Sequence, residues 1–399
     1  YSPENVEKFK FKPESAITQT MLFVKNCTSK ADRGATVGAD LEWALKELGL
    51  EGFPYSASSS DLRLDVATAK MSNLYVFVFF RWLAVDDTAN VTGTPRIVHL
   101  FHIPLRHKTK TASTKNFVSD LFLNVVKWSS VYLPRIKRLD SSSVNSAYYF
   151  SNDVGEASLK YSDVTTTIRL SGMDSTNGWS WETFFNTAYA DVHKFTGNSS
   201  ISVKDPDFVE TFIKKIAEPE GLRNAINYVG IYALAYLTPF YGDQVVPDGR
   251  LIGASLNAPK VTRRRHQICL RRSEFICPLG IPSLLTQVFG KDDKMSSLAN
   301  EHMWWDDIFK AVMTKYAKRV TWLKPTERDT VAAWISATEI SALIPRNFYT
   351  PREKPLNDTI CGYDPDTYKK PPVRHFIEAM RAGAKEDRDE LKTGIPRLR

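Results

Sequence analysis

Two helical stripes joined by a short polar turn, in the stretch Ala16 to Pro54 (AITQTMLFVKNCTSKADRGATVGADLEWALKELGLEGFP), constrain this chain more than any other feature. Ile17, Met21, Val24 and Cys27 recur at the three- and four-residue spacing of one helix face. After the polar break a second helix is predicted from Asp40, whose carboxylate can cap the free amides ahead of Leu41, Ala44, Leu45 and Leu48. Gly49 suits the left-handed residue that closes such a helix, and Leu50 supplies the apolar residue that packs back on it. A pair of amphipathic helices cannot bury both faces alone, so the rest of the chain must supply more layers to cover them.

Those layers are mostly helical. A helix is predicted over Asp61 to Leu74, with Leu64, Met71 and Leu74 on its buried side. It runs into Tyr75 to Val85, a run too rich in aromatic and β-branched residues for a helix and read as a strand. Arg96 to Pro104 alternates Ile97, His99, Phe101 and Ile103 on one face, which makes a long-looped β-hairpin over about residues 75–104. From Ser113 a helix carries Phe117, Leu121, Val125 and Trp128 on one stripe and stops before Pro134. Arg135 to Leu170 is serine-rich and weakly periodic, and reads as helix followed by loops.

Further on, Ile201 to Lys204 reads as a short strand feeding Asp205 as cap and Pro206 as first residue of a helix that buries Val209, Phe212 and Ile216. Arg223 to Leu237 has no clear polar face and belongs at the centre of a bundle, where Gly230 would let a neighbour approach closely. Glu301 to Leu323 places Trp305, Phe309, Val312, Tyr316 and Val320 at helical spacing, as a core face would have them. Thr326 and Asp329 imitate a capping box for the next helix, expected to bury Val331, Trp334 and Ile335. A last amphipathic helix lies near Phe376, Ile377 and Met380.

Several of these segments resemble one family. The order Lys25, Asn26-Cys27-Thr28, an acidic-basic-Gly turn, a Leu-rich helix ending in Gly49 and then Phe53-Pro54 is similar to the N-terminal helical part of the neprilysin and endothelin-converting-enzyme zinc metallopeptidases. Asp86 and Asp87 at the end of one strand, and Pro104, Leu105 and Arg106 at the end of the next, fit the same pattern. So do Trp179-Ser-Trp-Glu-Thr-Phe-Phe-Asn186 and Thr321-Trp322, while Leu343-Ile344-Pro345 matches loosely. The resemblance implies a mainly α, multi-helix, two-lobed N-terminal domain spanning 1–399, with sub-lobes near 1–140 and 141–399. It also implies a disulfide joining Cys27 to Cys269; a link closing so long a loop is worth about 4 to 5 kcal/mol in the chain-entropy model. Cys277 and Cys361 are then left to each other by elimination.

Composition narrows the class. In 399 residues, 43% hydrophobic content excludes wholesale disorder, and the net charge of +8 comes from 53 basic residues interspersed with 45 acidic ones rather than from one basic arm. Nucleic-acid binding is not expected. The longest apolar run, Ala225 to Leu237, is too short to span a membrane and is interrupted by Asn227. The first residues lack the apolar core of a signal peptide, so the chain reads as a mature product or a fragment. Four sequons at Asn26, Asn90, Asn198 and Asn357 point to a secreted glycoprotein, against the alternative of four reduced, buried thiols in a cytosolic protein.

The family's zinc is held by two histidines one helical turn apart, in H-E-x-x-H, plus a further Glu. The seven histidines here, His99, His102, His107, His193, His266, His302 and His375, include no pair four residues apart, and His99 and His102 would face opposite sides of a strand. No G-x-S-x-G elbow or phosphate-binding glycine loop occurs either. The resemblance therefore implies no catalytic residue, no metal ligand and no cofactor in this chain, with zinc present only if a catalytic half is supplied elsewhere. The chain stops before the family's Asn-Ala-Tyr segment and starts after its Cys-rich opening.

Three readings follow: a secreted non-catalytic relative acting as a binding or scaffold protein, the helical portion of an active zinc endopeptidase, or an unrelated all-α protein. Partners implied are a protein or peptide, including a second neprilysin-like chain. Arg263, Arg264, Arg265, Arg271 and Arg272 form the best candidate contact surface for an anion such as a sulfated glycan, unless acidic side chains of the same molecule neutralise them.

Overall fold

The computed structural model describes residues 15–28, 36–57, 61–86, 96–103, 112–158, 164–241, 265–277, 280–281, 293–337, 361 and 363–388. Among them are twelve α-helices and four strands: α1 (Ala16–Thr28), α2 (Val37–Glu47), α3 (Leu64–Ser72), β1 (Phe80–Asp86), β2 (Arg96–His102), α4 (Ala112–Tyr132), α5 (Ser141–Ser158), β3 (Thr165–Arg169), α6 (Trp181–Ala188), β4 (Ser200–Lys204), α7 (Pro206–Ala217), α8 (Gly221–Tyr241), α9 (Arg265–Ile276), α10 (Asp293–Arg319), α11 (Pro325–Ala337) and α12 (Pro372–Arg388). The fold is mainly helical with a small β element. The chain divides into two compact units, each discontinuous in sequence: residues 1–21 with 277–361, and residues 22–276 with 362–399. The boundary near residue 140 read from the sequence lies inside the second of these.

In the second unit, α8 is the central rod. Its residues Ala225, Tyr228, Val229, Ile231 and Leu234 are buried around the whole circumference, as a helix without a polar face requires. The helix runs through Pro239, although proline has no N–H to give the carbonyl one turn back. Thr238 Oγ1 donates to that carbonyl, of Ala235, at 2.8 Å and satisfies it. Helices α3, α4, α5 and α7 pack around the rod.

Beside them lies a four-stranded sheet in the order β1-β2-β4-β3, where the sequence indicated only a hairpin and one short strand. β1 and β2 are antiparallel, with Phe80 opposite His102; β2 and β4 run parallel, with His99 opposite Ser202; β3 closes the far edge antiparallel to β4. β3 is Thr-Thr-Thr-Ile-Arg and almost wholly exposed, so no buried alternation marked it. The expected strand from Tyr75 begins only at Phe80, because the backbone N–H groups of Asn73, Leu74 and Tyr75 bond to carbonyls of the last turn of α3 and Tyr75 adopts φ +57°. An aromatic cluster joins sheet to helices: Phe80, Trp179 and Phe212 have ring centroids 4.9 to 5.9 Å apart.

The helix ends follow local chemistry. Gly49 is left-handed at φ +73° and Leu50 N–H reaches back to Leu45 O at 2.8 Å, closing α2. Asp205 Oδ1 accepts from Phe208 N–H to cap α7, ahead of Pro206. Asp40 departs from expectation: α2 begins three residues earlier, and the buried carboxylate accepts from Arg374 Nε of α12 at 3.0 Å instead of capping.

In the first unit, α10 and α11 form a helix hairpin, and the Lys324 N–H is capped by Glu327 Oε2 at 2.8 Å. Both helices overlap the expected segments, but α10 runs from Asp293 to Arg319 instead of Glu301 to Leu323, and α11 begins at Pro325, before the Thr326 expected to cap it. The side chain of Trp305 is not described, and the rest of the expected core faces is largely uncovered: Phe309, Val312 and Tyr316 are 44%, 57% and 65% exposed, and Trp334 is 78% exposed.

Candidate functional site

Cys269 sits on α9 against Cys27 on α1, and the two are joined with their Cα atoms 5.8 Å apart, both buried. Cys277, just past α9, is joined to Cys361. The first bridge spans 242 residues of sequence and the second 84, so each closes a long loop of the unfolded chain on a different unit of the fold.

α9 also carries the basic run, and the structure breaks that run up. Arg272 is 1% exposed, with its guanidinium carbon 4.1 Å from the Tyr236 ring centroid and 4.9 Å from that of Phe376. Its Nη2 donates to the Tyr236 carbonyl. A flat, weakly hydrated cation sandwiched by rings and bonded to a backbone oxygen is a core element. Arg272 is thus withdrawn from the anion-contact surface drawn from the sequence. Arg271, its neighbour, is exposed. Arg265 opens α9, with its side chain outside the described set, and Arg263 and Arg264 lie outside the described residues.

The histidines are dispersed. His99 Nδ1 lies 2.8 Å from Ser202 Oγ across the parallel pair, and partial burial together with Lys204 holds its pKa below the ordinary value. His102 is buried, its ring tilted against that of Phe208 with centroids 4.5 Å apart, and its Nδ1 lies 3.9 Å from Asp205 Oδ2. His193 is exposed against Phe195. His375 is fully buried between Phe23 and Tyr363, and burial alone pushes its pKa down to about 4. Among the described residues no group of three His, Cys, Asp or Glu side chains is arranged to hold a metal ion. His107 lies outside them, and the side chains of His266 and His302 are not described.

Two buried polar junctions went unnoticed in the sequence. Asp65, fully buried at the start of α3, accepts from Arg63 Nε and Nη2 at 3.1 and 2.8 Å, from Val66 N–H, and from the Ser180 N–H that leads into α6 at 3.0 Å. One carboxylate thereby fixes two helix starts far apart in sequence. Asn227, noted only as an interruption of α8, is the second, and is bonded to the backbone of Tyr55. An acidic residue next to an apolar run was the only available signal for the first.

One small cavity opens among Ile168, Met173, Asp174, Val203, Val209 and Glu210, beside β3, β4 and α7. At about 160 Å³ it is well below the size of a pocket that encloses a small organic ligand. Among the described residues, Phe309, Val312, Met313 and Tyr316 on α10 and Trp322 in the turn after it, 81% exposed, are large apolar side chains left at the surface.

No protein-family profile and no curated protein matches the sequence. Solved structures do. The zinc metalloprotease Zmp1 of Mycobacterium tuberculosis in its open state aligns with 95% of this chain at a TM-score of 0.55 and 11% identity, and the same enzyme in complex with an inhibitor aligns with 92% at 0.53 and 11%. At that identity the likeness is one of fold, and it supports the neprilysin-like fold that the sequence resemblance implied. The chain spans 58% and 53% of the length of those two enzymes.

Proposed function

We propose that this chain, folded like part of a zinc metalloprotease, is a secreted, non-catalytic neprilysin-like module that binds or scaffolds protein and does not itself cut peptide bonds. The observation that carries the reading is a combination. The fold match extends over nearly all of the chain, yet its sequence holds no H-E-x-x-H and no two histidines four residues apart. A catalytic zinc needs three protein ligands and an open position for water, and imidazoles one helical turn apart are how this fold family meets that need. Two disulfides, together with the absence of any described helix long and apolar enough to cross a membrane, support an extracellular setting.

The deciding experiment is hydrolysis of a fluorogenic peptide library by the purified 399-residue protein, with bound zinc measured on the same sample. The expected result is no chelator-sensitive cleavage and no stoichiometric zinc. Cleavage abolished by a chelator and restored by zinc would overturn the reading.

A second reading is favoured by one observation, the span of only 58% and 53% of the neighbours. Here the chain is the helical portion of an active zinc endopeptidase, with the zinc-bearing half on another chain or beyond these residues. Intact mass and zinc content of the protein from its natural source separate the two. The exposed Arg271, with Arg263, Arg264 and Arg265, remains the proposed contact for a sulfated glycan. Retention on heparin at physiological salt, lost when Arg263, Arg264 and Arg265 are replaced by Ala, tests that contact.

A further inference from the structure

β3 closes one side of the sheet and leaves its own outer edge open. In its antiparallel pairing with β4, the Asp205 N–H donates to the Val164 carbonyl and the Leu170 N–H to the Ser199 carbonyl, both at 2.9 Å. Hydrogen-bonded and non-hydrogen-bonded pairs alternate along such a ladder, so Thr166 and Ile168 turn their backbone groups toward β4. Thr165, Thr167 and Arg169 therefore turn their N–H and C=O groups outward, and among the described residues nothing bonds to those groups. The register with β4 runs from Thr165 to Arg169 without a bulge, the strand has no proline, and its only charged side chain stands at its end. The devices that keep another strand from joining an edge are thus weak here. Donors and acceptors that recur at strand spacing are matched by a second extended polypeptide backbone.

What lies beside the edge narrows the partner. Ile168 stands opposite the buried Ile201, so its side chain is on the face of the sheet that packs on the core. The cavity of about 160 Å³ is on that face, lined by the apolar side chains of Ile168, Met173, Val203 and Val209, with the exposed carboxylates Asp174 and Glu210 beside them. An apolar cavity of about 150 Å³ takes a benzene ring. Lys214 is ion-paired to Glu210, which leaves the two carboxylates in excess of the one cation. A strand laid along β3 sends every second side chain to this face. We propose that the free edge of β3 takes up an extended peptide segment of another protein as a fifth strand, with an aromatic side chain in this cavity and a Lys or Arg two residues from it against Asp174 and Glu210. This rests on the protein-binding reading above and names the chemistry of what is bound.

The test selects a random-peptide display library on the full 399-residue chain and then measures the enriched peptide by fluorescence anisotropy. The enriched sequences are expected to share an aromatic residue with Lys or Arg two positions from it. Thr167→Pro removes an outward N–H and leaves the ladder to β4 in place, since proline is tolerated where an edge strand faces solvent. It should weaken binding about tenfold, the effect of one hydrogen bond left unmade. N-methylation of the peptide at the alternate residues that face β3 should weaken binding at least as much, with the protein unaltered. Asp174→Lys should move the preference two positions from the aromatic residue from basic to acidic. A library that yields no such pattern, binding that survives both Thr167→Pro and N-methylation, or a preference unmoved by Asp174→Lys overturns the proposal. So does a dimer of the free chain that Thr167→Pro dissolves, because β3 would then pair with a second copy of itself. Chelator-sensitive cleavage of the enriched peptide would defeat the non-catalytic reading alone, whatever is found at the β3 edge.

Discussion

The side-chain amide of Asn227, in the middle of the apolar rod α8, closes a two-way hydrogen bond on the backbone of Tyr55: Nδ2 donates to the Tyr55 carbonyl at 2.9 Å, and Oδ1 accepts the Tyr55 N–H at 3.0 Å. This pins the segment that follows α2 to the central helix. Asn227 is itself buried, so neither group can turn to water when its partner is lost. Asn227→Ala should therefore lower unfolding stability by about 2 to 3 kcal/mol, and Asn227→Asp, which keeps the acceptor and forfeits the donor, should also destabilise. Urea unfolding followed by tryptophan fluorescence reads both.

One turn along the same helix, Gly230 is where the Phe53 ring lies against α8. A Cβ added there would stand 2.2 Å from the ring, far inside van der Waals contact. Gly230→Ala is expected to cost about 1 to 3 kcal/mol through overpacking, although alanine is the better helix former. Adding Phe53→Leu should restore part of the loss, and thermal melts of the single and double variants check the coupling.

His375 makes stability depend on pH. Its pKa falls from 6.5 to about 4 because the buried ring cannot be charged without desolvation. In the unfolded chain the ring takes up a proton as pH drops through 6.5, whereas the folded chain does so only near 4. Stability from this group is thus fully present above pH 6.5, is lost progressively between 6.5 and 4, and changes no further below that. The loss amounts to at most about 3 kcal/mol. His375→Leu should flatten that part of the curve of urea midpoint against pH, and an unchanged slope would assign the acid sensitivity to other groups.

The sequons differ in access. Asn198 is exposed in the turn before β4. Asn26 lies on α1 beside the bridged Cys27, and its Nδ2, the atom a glycan would occupy, donates to the Tyr368 carbonyl at 3.0 Å. In protein secreted from eukaryotic cells, Asn198→Gln should remove one glycan's mass, while Asn26→Gln should leave the mass of the glycans unchanged. Asn90 and Asn357 lie outside the described residues. Intact mass before and after enzymatic deglycosylation reads the result.

What local chemistry dictates was legible beforehand. Asp205 before Pro206, Gly49 before Leu50, and the largely apolar run of α8 each act within a turn of the backbone, and each stands where its residue type requires. The helical class and the position of most helices follow from the same short-range periodicity. Three things were not legible, for one reason. Arg272 reads as a surface charge until Tyr236 and Phe376 arrive from other helices to sandwich it. β3 is strand only because β4 offers it hydrogen bonds, since its own side chains carry no alternation of burial. The stripe on α10 has the spacing of a core face, but spacing records that an apolar face exists and not what covers it. Helix caps and apolar stripes are properties of neighbouring residues and so are written in the sequence. Burial is a property of which distant segments meet, and that was decided only when the chain had folded.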